Sequence, residues 1–291
     1  MKFTRLKDLI KNKDSQVSFQ DYRLRYATER FLMRVQASSY KDKLIIKGGF
    51  LLGIIYKIEQ RTTQDLDTLI KGLTADRQTI KKMLNEIIAI ELEDGIEFEL
   101  IQLQDSQKNR VYDGFRAKLK MTHLEEPTNI IFDLDLGVGD VVTPEPQLMN
   151  IPLLFNEKKG ETEVLSLFAY PLETVLAEKT EIILTLGTDN SRMKDFYDMH
   201  LLLNDPNMPS MDKVYEAFVN TWSFRHGELE EDDFEDWLFI MRELERDTKM
   251  RDLDWPNYIK NRDYAKAICW EDILAQVRSY VLNLKAIHKQ K

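Results

Sequence analysis

Asp65 and Asp67 stand two residues apart in a stretch, Asp65-Leu66-Asp67-Thr68-Leu69, that reads as a strand. Side chains alternate along a strand, so both carboxylates point to one face while Leu66 points into a core. Two carboxylates held that way are suited to Mg²⁺. Upstream, the apolar run Leu44-Ile45-Ile46 enters a Lys47-Gly48-Gly49 turn, and Phe50 to Ile58 reads as a helix. Paired glycines leave the backbone bare, so amide N–H groups leading into a helix N-terminus can approach a phosphate whose charge the helix dipole favours. An acidic pair alone also describes a solvated strand edge, and two glycines alone describe any turn. In sequence, the strand, the glycines, one helix of spacing and the acidic strand supply a phosphate cradle and metal ligands, the requirements of phosphoryl transfer.

A second acidic strand follows. In Ile130-Ile131-Phe132-Asp133-Leu134-Asp135-Leu136 the two aspartates share one face and Phe132, Leu134 and Leu136 the other. Asp133 or Asp135 would supply a third carboxylate; the alternative is an acidic edge that resists aggregation. Farther on, Lys179 lies in Leu176-Ala177-Glu178-Lys179-Thr180, and Arg192-Met193-Lys194-Asp195-Phe196-Tyr197-Asp198 opens another helix with Asp195 and Asp198 on one face. By spacing alone, such a lysine snorkels to solvent and such a start caps a helix.

The elements that must position these groups follow from periodicity. Ser18 to Val35 reads as an amphipathic helix whose arginines form a solvated face, with phosphate contacts as the alternative. Thr74 to Leu92 reads as a helix with an apolar stripe from Ile80 to Leu92. Ile96 to Leu103, Phe115 to Met121 and Asn129 to Leu136 read as strands, and short connections suit a mixed sheet. Pro144, Pro146 and Pro152 mark a boundary, with a domain over 1–150 and a mainly helical one over 151–291 that completes the site. Helices are expected from Leu172 to Leu186, ended by Gly187, and over Met211 to Phe224, Phe234 to Leu244 and Glu271 to Leu284, with Trp222, Trp237, Trp255 and Trp270 in a helical core. The fold class is therefore α/β (α+β).

The chain has 291 residues, 43% apolar and 31% charged, with a net charge of −9. That length carries a sizeable core, and that charge argues against a surface coated by nucleic acid. The first fifty residues are nevertheless basic, with Lys2, Arg5, Lys7, Arg23, Arg25, Arg30, Arg34 and Lys47 among them, while Glu228 to Asp236 is nearly all acidic. The single cysteine, Cys269, excludes a disulfide framework within the chain, fits a reducing, cytoplasmic setting, and is expected to be buried beside Trp270. No apolar run has the length of a membrane span. The four histidines are scattered without metal-ligand spacing or a neighbouring nucleophile and read as structural.

The stretch from Ser38-Ser39-Tyr40-Lys41-Asp42-Lys43 through Lys47-Gly48-Gly49 and Arg61-Thr62-Thr63 to Asp65-Leu66-Asp67 resembles the first motif of the polymerase-β-type nucleotidyltransferases, and within them the AbiEii family, the toxin half of type IV toxin–antitoxin pairs. Similar landmarks recur to about residue 200. The resemblance implies a nucleotidyltransferase-fold mixed sheet and a Mg²⁺-dependent transfer of a nucleoside monophosphate from an NTP. Asp65, Asp67 and Asp135 would hold a pair of Mg²⁺ ions, with Asp133 in reserve. Gly48 and Gly49 would bind phosphate, and Lys179, with Asp195 in the site, would face the phosphates. Asp198, Arg192 and Lys194 would support them. It leaves three acceptors open, a tRNA 3′ end, a protein hydroxyl and a small molecule, and implies an AbiEi-like antitoxin encoded adjacently. The chain has Gly-Gly where Gly-Ser is common in the superfamily, which is ordinary in AbiEii-like sequences. A catalytically silent nucleotide-binding protein and an aminoglycoside nucleotidyltransferase are the competing readings.

Overall fold

A computed structural model describes residues 3–13, 17–58, 65–106, 114–124, 128–156 and 162–291. Lys2, Arg61, Thr62 and Thr63 lie outside them. The chain divides into two compact units, one of residues 1–140 and 146–170, the other of residues 141–145 and 171–291.

The first unit is built on a seven-stranded mixed sheet in the order β3-β4-β5-β2-β1-β7-β6, with β1 Leu44–Ile46, β2 Asp65–Ile70, β3 Ile96–Asp105, β4 Gly114–His123, β5 Thr128–Val138, β6 Gln147–Pro152 and β7 Val164–Ala169. Helix α1 covers Phe3–Lys11, α2 Phe19–Ala37, α3 Gly48–Ile55 and α4 Arg77–Ile88. Alternation governs the strands: Phe115, Ala117, Leu119 and Met121 of β4 are buried, as are Ile130, Phe132, Leu134 and Leu136 of β5. Phe31 of α2 meets Phe98 and Phe132 edge-on at 6.1 and 6.0 Å, so α2 seals the apolar face of the sheet. Ser18 caps α2 by accepting from the Asp21 N–H at 3.0 Å, and Asp76 caps α4 through the Gln78 and Thr79 amides.

The expected division at residue 150 differs from the one observed. The prolines interrupt the chain, but it then re-enters the sheet: β7 pairs parallel with β1 at Ile46 and Ala169, and β6 pairs antiparallel with β7. The unit boundary therefore falls between Tyr170 and Pro171. Residues 141–145 belong with the helices because Thr143 exchanges hydrogen bonds with the Thr174 hydroxyl at 2.9 and 2.8 Å and its own hydroxyl accepts from Asn220 at 2.9 Å.

The second unit is helical, with α5 Leu172–Leu186, α6 Met193–Leu203, α7 Met211–His226, α8 Glu231–Arg246, α9 Trp255–Ile259 and α10 Trp270–His288. Gly187 ends α5 with a φ of 50° that L side chains seldom adopt. All four tryptophans are buried: Trp222 and Trp237 meet edge-on at 4.6 Å and Trp270 meets Phe196 at 4.8 Å. The acidic run before and within α8 has local partners. Glu230 and Asp233 form a capping box, Glu235 pairs with Lys285 of α10, and Glu231 pairs with Lys289 just past its end. Among the described residues no helix is long and apolar enough to cross a membrane.

Two of the four arginines of α2, Arg30 and Arg34, turn inward instead of joining a solvated face, while Arg23 and Arg25 stay partly exposed. Arg34 is buried, bidentate to Asp94 at 3.0 and 2.9 Å, and donates to the Ile96 carbonyl at 2.8 Å. Arg30 is buried and donates to the Phe155 carbonyl at 2.8 Å, while Glu29 accepts from the Leu154 amide and from Arg25. These charges tie α2 to neighbouring loops, since a buried ion needs a complete set of partners. Arg34→Met is expected to cost about 3–5 kcal/mol by stranding Asp94. Lys82→Ala, which removes only an exposed pair with Glu86, should stay within about 0.5 kcal/mol. Urea denaturation midpoints compare the two.

Candidate active site

Strands β2 and β5 run parallel with Asp65 opposite Asp133, Leu66 opposite Leu134 and Asp67 opposite Asp135. Register partners share a face, so four carboxylates look out on one side while Leu66 and Leu134 are buried on the other. The next strand brings cations to the same face: Arg116 of β4 pairs in register with Asp135, and Lys118 with Asp133. The Arg116 guanidinium lies 3.5 Å from Asp65, 3.3 Å from Asp133 and 3.4 Å from Asp135, and Lys118 Nζ is 3.8 Å from Asp133. Four like charges at strand spacing repel one another, and these cations offset that repulsion. Thr68, next on β2, donates its hydroxyl to the Asp135 carbonyl at 3.0 Å and locks the two strands side by side.

Helix α3 begins at Gly48 itself, two residues earlier than the sequence suggested, so the glycines are its first turn. A Cβ on Gly48 would come within 2.1 Å of Asp67 Oδ2, and its φ is +67°. Only glycine lets the helix start this close to the carboxylate. The Lys47 N–H donates to the Asp67 carbonyl at 3.1 Å, and the Lys47 side chain, at the N-cap position, makes no cap hydrogen bond to α3. The first amides of α3 carry the positive end of the helix dipole beside Asp67, with Gly49 second in line. Lys47 Nζ reaches Asp140 Oδ2 at 2.9 Å and the Tyr170 hydroxyl at 3.4 Å, which fastens this turn to the chain beyond β5 and β7.

In the second unit, Lys179 of α5 does not snorkel to solvent. Its ammonium contacts Asp195 Oδ1 and Asp198 Oδ2 of α6, each at 2.7 Å, and both aspartates are fully buried. Arg192 adds a contact to Asp195 at 3.0 Å. Burial by itself would push the Asp195 carboxyl up, but the Lys179 ammonium, with Arg192 and Lys194, outweighs it and holds the carboxyl below its ordinary range. Asp198 is thus as close a partner of Lys179 as Asp195 is, whereas Lys194 is exposed.

A family model, the nucleotidyl transferase AbiEii toxin of type IV toxin–antitoxin systems, matches residues 30–275. The chain belongs to this family. It is a nucleotidyltransferase. Two solved structures from Helicobacter pylori share the fold. One, a proposed nucleotidyltransferase, is 12% identical with a TM-score of 0.51, covering 94% of this chain and 99% of its own. The other, JHP933, is 12% identical with a TM-score of 0.50, covering 94% and 96%. No curated protein matches the chain.

Against that family frame, the structure gathers Asp65, Asp67, Asp133, Asp135, Gly48 and Gly49 in the first unit and Lys179, Asp195 and Asp198 in the second. Arg116 and Lys118 were missed by sequence reasoning. The signal was present, because the polar positions of β4 alternate with Phe115, Ala117 and Leu119, but only strand pairing turns them toward the aspartates. Cys269 is exposed where α10 begins, not buried, because Trp270 takes the inward position. The carboxylate oxygens are hard donors that fit Mg²⁺. Among the described residues no group of three or more His, Cys, Asp or Glu side chains is placed to hold a metal ion; Mg²⁺ is commonly held by one or two carboxylates plus substrate phosphates.

Two outcomes test this geometry. Gly48→Ala should reduce nucleotidyl transfer at least 100-fold in a folded protein, checked by turnover beside circular dichroism, because the new Cβ collides with Asp67. Lys179→Met should cost about 3–5 kcal/mol at neutral pH by leaving two buried carboxylates short of charge. The wild-type Asp195 contribution is present above the ordinary carboxylate value of about 3.9 and is lost as pH falls below it. Melting temperatures from pH 7 to pH 3 should therefore drop for the wild type and drop less for the variant.

Proposed function

We propose that this AbiEii-family chain is a Mg²⁺-dependent enzyme that transfers a nucleoside monophosphate from an NTP to an acceptor hydroxyl. The observation that carries the reading is the in-register pairing of Asp65 and Asp67 with Asp133 and Asp135 beside the glycine-bearing first turn of α3. Asp65, Asp67 and Asp135 would hold a pair of Mg²⁺ ions, which when bound supply positive charge to the triphosphate oxygens. The Gly48 and Gly49 amides hold phosphate oxygens at the helix N-terminus. Asp135 orients the acceptor hydroxyl and takes its proton. The acceptor oxygen bonds to the α-phosphorus as the bond to the bridging oxygen breaks, and pyrophosphate leaves with that electron pair. By the family resemblance Lys179, which Asp195 and Asp198 hold within the second unit, would offset the charge that grows on the pyrophosphate.

A tRNA 3′ end is the acceptor that the family suggests, with a protein or small-molecule hydroxyl as the alternatives. The basic first fifty residues argue less strongly for RNA, because Arg30 and Arg34 among them are buried. A toxin–antitoxin family implies an antitoxin partner, and we infer an AbiEi-like protein encoded next to this one, with both in the cytoplasm.

Transfer from each of the four α-³²P-labelled NTPs, with Mg²⁺, onto total RNA and total protein tests the reading against Asp67→Ala. Label on RNA that falls at least 100-fold in the variant is expected. Label on protein alone keeps the chemistry and removes tRNA, and label on neither while NTP still binds supports a silent nucleotide-binding protein.

A further inference from the structure

The first turn of α3 has little to hold it in place by itself. The helix is eight residues long and three of them, Gly48, Gly49 and Gly53, are glycines. Glycine is the poorest helix former after proline, and a helix this short is marginal without outside contacts. The residue that fits beside Asp67 is thus the one that leaves the turn loose. The tie that compensates comes from the residue just before it. Ile46 pairs with Thr68, and both are buried. Alternation turns Lys47 to the other side of the sheet, level with Asp67, whose carbonyl its N–H reaches. That is the face of the carboxylates, and on β5 it runs from Asp133 and Asp135 to Gly137. A Cβ built on Gly137 would meet Asp140 Oδ2 at 3.6 Å and Lys47 Nζ at 3.8 Å. The Lys47 side chain therefore crosses β2 and ends over β5, one step beyond Asp135.

Its partners there are well fixed. Lys47 Nζ donates to Asp140 Oδ2 at 2.9 Å, and the Asp140 side chain is only 4% exposed. It donates to the Tyr170 hydroxyl at 3.4 Å and lies 5.0 Å from the centre of that ring. Tyr170 is itself buried, and its N–H donates to the Ile46 carbonyl at 2.9 Å. Asp140 and Tyr170 are the last residues of the two stretches that make up the first unit. A lysine is a flexible, strongly hydrated point charge, so a carboxylate, a hydroxyl and an aromatic face are what it takes to hold it in one rotamer. Once held, its backbone is held too, and with it the entry to α3.

We propose that Lys47 is a positioning residue for nucleotidyl transfer: through Asp140 and Tyr170 it fixes the first turn of α3 against Asp67, so that the Gly48 and Gly49 amides and the carboxylates engage one triphosphate in a single geometry. The inference rests on the nucleotidyl-transfer reading and adds to it three residues, Lys47, Asp140 and Tyr170, that act through the turn. A displacement of about 1 Å in such a turn is enough to cost about 100-fold in rate.

The test measures transfer from each α-³²P-labelled NTP over a range of concentrations, with Mg²⁺ and total RNA and total protein as acceptors. Four full-length chains are compared, the wild type, Asp140→Leu, Lys47→Met and the double variant, with melting temperatures beside the kinetics. Each single variant should raise the KM for NTP about tenfold and lower kcat about tenfold. Lys47→Met should also lower the melting temperature, because it strands the buried Asp140 carboxylate. In the double variant an apolar pair replaces the ion pair, so the melting temperature should return to the wild-type value. Its kcat/KM should stay about 100-fold down and fall no further than in the single variants, since all three break the same tie. Kinetics that recover together with the melting temperature would show a purely structural tie and overturn the proposal. Wild-type KM and kcat in Asp140→Leu would overturn it as well, because Lys47 would then act without Asp140. No transfer by the wild type from any NTP would instead remove the nucleotidyl-transfer reading beneath it.

Discussion

The register of β2 against β5 is the constraint on which the site depends. Slipping it by one residue would turn every side chain of one strand to the other face and exchange carboxylates for leucines. What holds it is apolar: Leu66, Leu134 and Phe132 are buried, Phe132 against Phe31, and each strand can bury its leucines only by presenting its aspartates. Hydrophobic burial thus gathers four charges that would otherwise avoid one another. Arg116, Lys118 and the first turn of α3 make the gathering tolerable.

Charge elsewhere in the chain is governed by the same balance. Arg34 with Asp94, Glu29 with Arg25 and the Leu154 amide, and Glu181 with Arg225 and His226 are all buried or nearly so and satisfied by specific partners. Such groups add to the formal charge count but contribute little to the outside field, because the opposite charge lies within hydrogen-bond distance. The basic opening of the sequence is in part a set of internal ties. The acidic run at α8 is in part spent on a cap and on Lys285 and Lys289 at the end of α10.

Much of this was legible from spacing. The alternation in β4 and β5, the apolar stripe of α4 and the glycine stop after α5 each reflect a local rule that the residues themselves enforce. Three features were not. The start of α3 at Gly48 depends on how closely Asp67 approaches it, the return of β6 and β7 to the sheet depends on a partner strand far upstream, and the inward turn of Arg30 and Arg34 depends on loops around Asp94 and Phe155. None of these contacts lies within the window over which periodicity speaks.

The sequence by itself determined which residues could do the chemistry, because strand alternation commits Asp65 with Asp67, and Asp133 with Asp135, to common faces, and two glycines permit a close approach of backbone. It also determined the family, through the order of those landmarks. Only the tertiary structure decided that the two acidic strands are neighbours in register, that Arg116 and Lys118 stand among their carboxylates, and that Lys179 is held by Asp195 and Asp198. The reason is physical: side-chain direction is a local property of the backbone, but which strand lies beside which is set by burial summed over the whole sheet.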